Sequence, residues 1–154
     1  MRMMLLAFLM ILPVLAMAQM SGSPIKRTNP PALSTPTGYS HVVEVTGPGK
    51  TIYIAGQIAF DASGKVVGAG DMKAQTEQVF KNLEAALKAG GATFADVVKM
   101  NTYVTDISQI AVIRDVRSRY FGTTTPASTL VQVSGLARPE LMIEIEVIAA
   151  VAAK

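Results

Sequence analysis

The chain has 154 residues, a formal net charge of +3 and no cysteine, which suggests one domain that is stable without disulfides. The basic surplus is small and forms no clustered stripe of the kind that nucleic-acid binding requires. A single histidine and no cysteine exclude the common zinc constellations. The sequence also lacks a G-x-S-x-G elbow, a P-loop and a dinucleotide fingerprint, which argues against the enzyme classes that carry those motifs.

Residues 1–18 are predicted to form a cleaved signal peptide. A short basic start precedes an apolar run over residues 4–15, and Ala16-Met17-Ala18 gives the small-x-small pattern that signal peptidase reads. We expect cleavage directly before Gln19, which would make the mature protein periplasmic or secreted and free of the membrane. A membrane anchor is the alternative, but this run is shorter than the ~20 residues of a span and Pro13 interrupts it.

The region after the signal divides into an arm and a domain. Residues 19–38 are rich in Pro, Ser, Thr and Gly and are predicted to be an extended arm or linker. Residues 39–154 are predicted to form the domain. At its start, Val42–Val45 and Thr51–Ala55 read as two strands, and the turn between them predicts a hairpin.

Two helices are predicted. The first runs from an N-cap at Asp71 to Leu87 and ends at Gly90-Gly91. The second is capped by Asp106, with Gln109 as a capping-box partner. Its apolar face is formed by Ile110, Ile113, Val116 and Tyr120, and three arginines lie off that face: Arg114, Arg117 and Arg119.

Three further strands complete the prediction, over residues 97–105, 128–134 and 141–151. Because the elements run as strands, helix, strand, helix and strands, they favour an α+β layer with both helices on one face of a mixed sheet. In the first of these strands, alternation places Val98, Met100, Thr102 and Val104 on one face and Val97, Lys99, Asn101 and Tyr103 on the other.

The last strand carries the most informative polar pattern. Glu144 and Glu146 share one strand face, while Ile143, Ile145 and Val147 share the other. Two like charges on one face imply that this face is solvent-exposed, that the carboxylates pair with cations, or that the face lines a polar cavity. A solvent-facing strand is the simplest interpretation of the pattern alone.

Five segments, taken together, resemble the Rid (reactive-intermediate deaminase, YjgF-type) family. They occur in the family's order and spacing and cover nearly all of the chain after residue 18. Each segment is short, but their joint occurrence is specific. The segments are Thr37–His41, Ile54–Ile58, Val97–Asp106, Arg119–Ala127 and Ile143–Ala149.

The resemblance implies a chorismate-mutase-like fold and a homotrimer whose three sheets form an inner barrel, with clefts at the subunit interfaces. The best-known members hydrolyse small imines and enamines, such as 2-iminobutanoate and 2-iminopropanoate, without a metal or a cofactor. An arginine holds the substrate carboxylate in a bidentate pair, which suits its planar guanidinium. A glutamate acts as general acid or base toward the attacking water.

Four family positions are kept in this chain. Glu144 matches the glutamate and Tyr39 the cleft tyrosine, which makes both of them catalytic candidates. Gly56 and Gln57 match the backbone segment beside the cleft and are candidates for substrate binding.

Four family positions are changed. Ser128 stands where the imine deaminases have the arginine, and Leu130 stands where they have a cysteine. Ala55 replaces a serine, and Arg114 replaces an asparagine of the second helix. Because Arg114 is the one new cation among these positions, it is the candidate to supply the missing positive charge, although a solvated helix arginine is the simpler interpretation.

Three functions follow as hypotheses. The first is a deaminase-like hydrolase of small imine or enamine metabolites. The second is a non-catalytic trimer that binds a small ligand or acts as a chaperone. Ribonuclease activity, reported for some relatives, is disfavoured by the modest charge. An exported location would also separate the protein from imines made in the cytosol.

Overall fold

A computed structural model describes residues 24–153. Within this part of the chain, no helix is long and apolar enough to cross a membrane. The predicted signal peptide lies outside the described residues. The elements, in chain order, are β1 Ile25–Thr28, β2 Val42–Val45, β3 Gly49–Ile58, α1 Met72–Ala89, β4 Val97–Val104, α2 Ile110–Phe121, β5 Ala127–Gln132 and β6 Ile143–Ala152.

The main sheet has four strands in the order β3-β6-β4-β5. Strand β6 pairs antiparallel with both β3 and β4, whereas β4 and β5 are parallel and are connected through α2. Both helices pack on one face of this sheet, where their apolar side chains meet those of β4 and β6 in a single core. The predicted α+β arrangement is therefore the observed one.

The predicted hairpin of β2 and β3 is wrong. Strand β2 pairs instead with β1, a strand in the segment interpreted as an arm, in a separate two-stranded sheet. Strand β3 pairs with β6 over most of its length. Sequence proximity favoured the hairpin, but the long apolar β6 offers β3 a more extensive partner than the four-residue β2 does.

Helix α1 begins as predicted. The Asp71 carboxylate accepts a hydrogen bond from the backbone N–H of Ala74 at 3.0 Å, and Gly90 forms the C-cap. The buried face of α1 centres on Phe80, whose ring stacks on Tyr120 at 4.9 Å between centroids and also contacts Phe94 and Phe121.

Replacing Asp71 with alanine removes this cap. We expect the free energy of unfolding to fall by about 1 kcal/mol, the usual effect of deleting an N-cap side chain. Urea denaturation at one protein concentration measures the change. Asp71→Asn keeps the acceptor and should stay close to wild type, and equal stability of the alanine variant would contradict the capping role.

The alternation of β6 is confirmed: Ile143, Ile145 and Val147 are buried, while Glu144 and Glu146 are half-buried on the other face. In β4 the predicted alternation fails at Val97. The pairing of β4 with β6 shifts between Val97 and Lys99, so Val97 also enters the core. A bulge inserts one extra residue and thereby changes which face a side chain occupies.

Helix α2 is preceded by a short 3₁₀ turn, Ile107–Gln109, and Asp106 caps this turn by accepting from the Ser108 N–H. Gln109 donates its side-chain N–H to the Asp106 carboxylate, so the reciprocal capping box is not formed. Arg114 and Arg119 are exposed, in keeping with their positions off the apolar face. Arg117 also lies off that face but is half-buried, because its guanidinium packs over the Phe121 ring at 5.0 Å.

Candidate functional site

A cavity of about 270 Å³ lies between α2, the helix-covered face of the sheet and residues 37–39. This size is just below the ~300–1,000 Å³ of typical ligand pockets, so it suits a small molecule. Four of the predicted site residues line it: Tyr39, Arg114, Ser128 and Leu130.

Tyr39 is held at the cavity by its neighbours along the chain. The next residue, Ser40, is buried, donates its backbone N–H to the Pro126 carbonyl and shares a 2.8 Å hydroxyl–hydroxyl hydrogen bond with Thr125. The Tyr39 ring meets the His41 ring edge-on at 5.3 Å. These contacts dock the segment against the loop before β5 and so fix the tyrosine beside Ser128.

Strand β5 supplies one wall. Ser128 pairs with Met100 and Leu130 with Thr102 in the parallel β4–β5 register, and all four line the cavity. Paired residues point to the same face of a sheet. Ile145 of β6 also lines it. The side chain at position 128 therefore faces the cavity, but serine adds only a hydroxyl to a mainly apolar wall.

Helix α2 contributes two cations to the cavity, Arg114 and Arg117. Sequence reasoning missed Arg117. Its Nε and Nη2 atoms are buried and have no hydrogen-bond partner among the described residues. Burial lowers the pKa of Arg117 from its ordinary value, and the nearby charge of Arg114 lowers it further. The available signal was its i,i+3 spacing from Arg114, which places both side chains on one side of a helix.

Glu144 lies on the opposite face of the sheet from this cavity. It pairs with Tyr103 of β4 and with Ile58 of β3, next to an irregularity in β3 between Ile54 and Gln57. A Cβ added at Gly56 would overlap the Glu144 carboxylate, so only glycine allows this approach. Gln57 donates to the Ala55 carbonyl and makes no hydrogen bond to Glu144.

Glu146 is engaged differently from Glu144. Its carboxylate accepts hydrogen bonds from Asn101 Nδ2 at 2.7 Å and from the Tyr103 hydroxyl at 3.2 Å. Partial burial, followed by the hydrogen bond to Glu146 and the charges of both glutamates, raises the pKa of Tyr103. No hydrogen bond to the Glu144 carboxylate is made by the residues from 24 to 153, which leaves it available to a ligand or water.

One chain thus holds the predicted site residues in two separate groups. The cavity holds Tyr39, Arg114, Ser128 and Leu130, and the other sheet face holds Glu144 with Gly56 and Gln57 beside it. Within the described range, no cluster of three His, Asp or Glu side chains is arranged to hold a metal ion. The fold and these two groups define a class of small α+β proteins with a cavity on the helix-covered face of the sheet and carboxylates on the opposite face.

Comparisons with known proteins specify that class. Residues 30–151 match the family described as Endoribonuclease L-PSP. A RutC family protein of Pyrococcus abyssi is 40% identical over 111 residues, 72% of this chain and 84% of the relative. A Dermatophagoides farinae protein named 2-iminobutanoate/2-iminopropanoate deaminase is 32% identical over 125 residues, 80% of this chain and 94% of that one.

Solved structures agree. A Rid family protein of Yersinia pestis superposes with a TM-score of 0.77 at 40% identity, covering 83% of this chain and 99% of the other. RidA of a Psychrobacter species gives a TM-score of 0.63 at 36% identity, covering 77% and 92%. The chain belongs to the L-PSP endoribonuclease family, which includes the YjgF and Rid proteins, and it has their mixed sheet with two helices on one face.

Proposed function

We propose that this protein is a deaminase-like hydrolase of small imine or enamine metabolites, working as a homotrimer with clefts at the subunit interfaces. The proposal is supported by the relative named as an imine deaminase, at 32% identity over 94% of its length. The observation that carries it is the Glu144 carboxylate, half-buried against Gly56 and free of protein hydrogen bonds among the described residues.

The chemistry needs one base and one water. Water adds to the imine carbon while Glu144 accepts one of its protons, and Glu144 passes that proton to the imine nitrogen to give the carbinolamine. Glu144 then takes the proton of the new hydroxyl and delivers it to the amino group, so that the C–N bond breaks, ammonia leaves and the carbon becomes a ketone. An enamine first takes up a proton at carbon to become the imine. Water is consumed and ammonia released, so no redox partner is required.

A complete site requires two copies of the chain. Within one chain the sheet separates Glu144 from the cavity that holds Tyr39 and Ser128. In a trimer of the kind that the family resemblance implies, the carboxylate face of one subunit would meet the cavity side of the next. The three clefts would each combine Glu144 of one copy with Tyr39 and α2 of another.

A second candidate function is a ligand-binding trimer without catalysis. It is favoured by Ser128 and Leu130, which give the cavity wall no cation where the resemblance implies an arginine and a cysteine. The ribonuclease activity in the family's name finds less support. Two of the three arginines of α2, Arg114 and Arg117, line a small cavity and do not extend a basic stripe over the surface.

A coupled assay separates the two candidates. A dehydratase generates 2-iminobutanoate or 2-aminoacrylate, and release of the oxo acid is followed with and without this protein. The proposed hydrolase accelerates release, and a deaminase from the same family serves as the positive control. Unchanged release in the presence of this protein, with an active control, would leave the ligand-binding function.

We further propose export of the mature chain to the periplasm or the medium after cleavage before Gln19. The support is the apolar run and the Ala-Met-Ala triplet at residues 16–18. N-terminal sequencing of the protein recovered outside the cytoplasm tests this. A first residue of Gln19 agrees with the proposal, and an intact Met1 contradicts it.

A further inference from the structure

Arg117 is the least satisfied charged group in the described part of the chain. Its Nε and Nη2 atoms, which form one edge of the guanidinium, are buried without a hydrogen-bond partner. Buried polar atoms are nearly always paired, and an exception calls for an explanation. The contact with the Phe121 ring stabilises the cation but leaves both N–H groups without an acceptor.

No acidic side chain balances the two cations of the cavity. Among the described residues the ion pairs are Lys26–Glu44, Arg119–Glu77 and Arg119–Asp115, and neither Arg114 nor Arg117 takes part in one. Burying a charge without a partner is expensive, and two like charges side by side increase that cost. An anion at this point would remove both penalties.

The backbone at Gly38 lies close to the Arg117 guanidinium. Gly38 has φ +74°, and a Cβ there would lie 2.8 Å from Arg117 Nη1. The segment 37–39 therefore lies directly on the guanidinium. Arg117 lines the cavity, and a change of rotamer of the kind that commonly accompanies ligand binding would turn its unpaired edge toward it.

The rest of the cavity sets the kind of ligand. Beyond the two arginines, Tyr39 and a few hydroxyls, the wall is apolar, and the apolar side chains that line it are Phe80, Met100, Ile107, Ile110, Ile113, Leu130 and Ile145. An acid with one charged end and a hydrocarbon tail matches such a surface better than a short, polar acid does.

We propose that Arg117, with Arg114 beside it, binds the carboxylate of acids that carry an apolar tail, so that the anion-binding role lies on α2 and not at position 128. The guanidinium edge of Nε and Nη2 holds the two carboxylate oxygens side by side. The tail lies against Met100, Leu130 and Ile145. This deepens the proposed function, because it rests on this cavity being the substrate cleft.

Calorimetric titration with three stable probes tests the ligand class. The probes are 4-methylpentanoate, its neutral amide 4-methylpentanamide, and acetate. We expect the branched acid to bind about 10- to 100-fold more tightly than the amide, as one charge-assisted bidentate contact provides. Acetate, lacking the tail, should bind at least about 10-fold more weakly than 4-methylpentanoate. Equal affinities for the acid and the amide would overturn the inference.

Variants at position 117 test whether Arg117 is the residue that binds the carboxylate. Arg117→Gln should remove most of the preference for the acid over the amide, leaving only what Arg114 contributes, and Arg117→Lys, which keeps the charge but loses the planar fork, should give an intermediate ratio. Arg119→Gln on the same helix is the matched control and should keep the wild-type ratio, because Arg119 pairs with Glu77 and Asp115 outside the cavity. A wild-type ratio in both Arg117 variants would show that the anion binds elsewhere.

The imine assay and the titration together distinguish a failure of the proposed enzyme activity from a failure of the acid-binding inference. Acid-selective binding without imine hydrolysis would remove the proposed enzyme activity and keep this inference. Hydrolysis with no preference for the acid over the amide would keep the enzyme activity and remove this inference. If Arg117→Gln does not fold, the wild-type ratio and Arg117→Lys decide the outcome.

Discussion

Glu144→Gln is expected to lower the rate of imine hydrolysis by about 10²–10⁴-fold, the range over which a positioned general base accelerates a reaction. The glutamine side chain keeps the size of the glutamate and its position against Gly56, but its amide cannot accept a proton from water. The fall should appear mainly in kcat, because the apolar cavity that would hold the substrate lies on the other sheet face.

The same strand offers a matched control. Glu146→Gln changes an equivalent carboxylate two residues away, which in the wild type accepts from Asn101 and Tyr103 and is therefore occupied. We expect it to retain most of the wild-type rate. Equal losses in the two variants would point to the charge of the sheet face and not to Glu144 as the base.

Phe80→Ala is expected to reduce the free energy of unfolding by about 3–5 kcal/mol, the usual effect of emptying a large aromatic site in a core. Phe80 is fully buried and contacts the rings of Phe94, Tyr120 and Phe121, so its loss opens space between α1, α2 and the sheet. Urea denaturation at fixed protein concentration gives the value.

Phe80→Leu is the graded comparison for this core position. It leaves a smaller void and should lose clearly less stability than the alanine variant. Because Phe80 also lines the cavity beside α2, the alanine variant should enlarge that cavity on the helix side. A loss below about 1 kcal/mol in Phe80→Ala would mean that the neighbouring rings collapse into the gap.

The sequence pattern predicted the elements of the main sheet well and their partners less well. The alternation of β6 and the capped start of α1 depend on local chemistry, so residues such as Asp71 and Ile145 could be placed from sequence alone. The pairing of β2 with β1 is a choice between distant partners, which local patterns do not encode. The shift that buries Val97 is likewise a property of two strands in register.

The candidate site could also be predicted only in part from the sequence. Resemblance identified Tyr39, Ser128 and Glu144 by position, but it could not show that the sheet separates the glutamate from the other two within one chain. Arg117 lies off the apolar stripe on the helical wheel, so the residue pattern does not predict that it is half-buried. A long side chain can fold back over a ring such as Phe121, and residue spacing does not reveal that.

Mixed trimers test most directly whether the catalytic site is completed between subunits. Ser128→Phe blocks the cavity and Glu144→Gln removes the base, so each variant alone should be inactive in the imine assay. Co-expressed at equal levels, they should recover about a quarter of the wild-type rate. An active interface needs the intact cavity of a Glu144→Gln chain and the intact Glu144 of a Ser128→Phe chain, and each of these is present at about half of the interfaces. A mixture as inactive as either variant alone, with trimers formed, would contradict the claim.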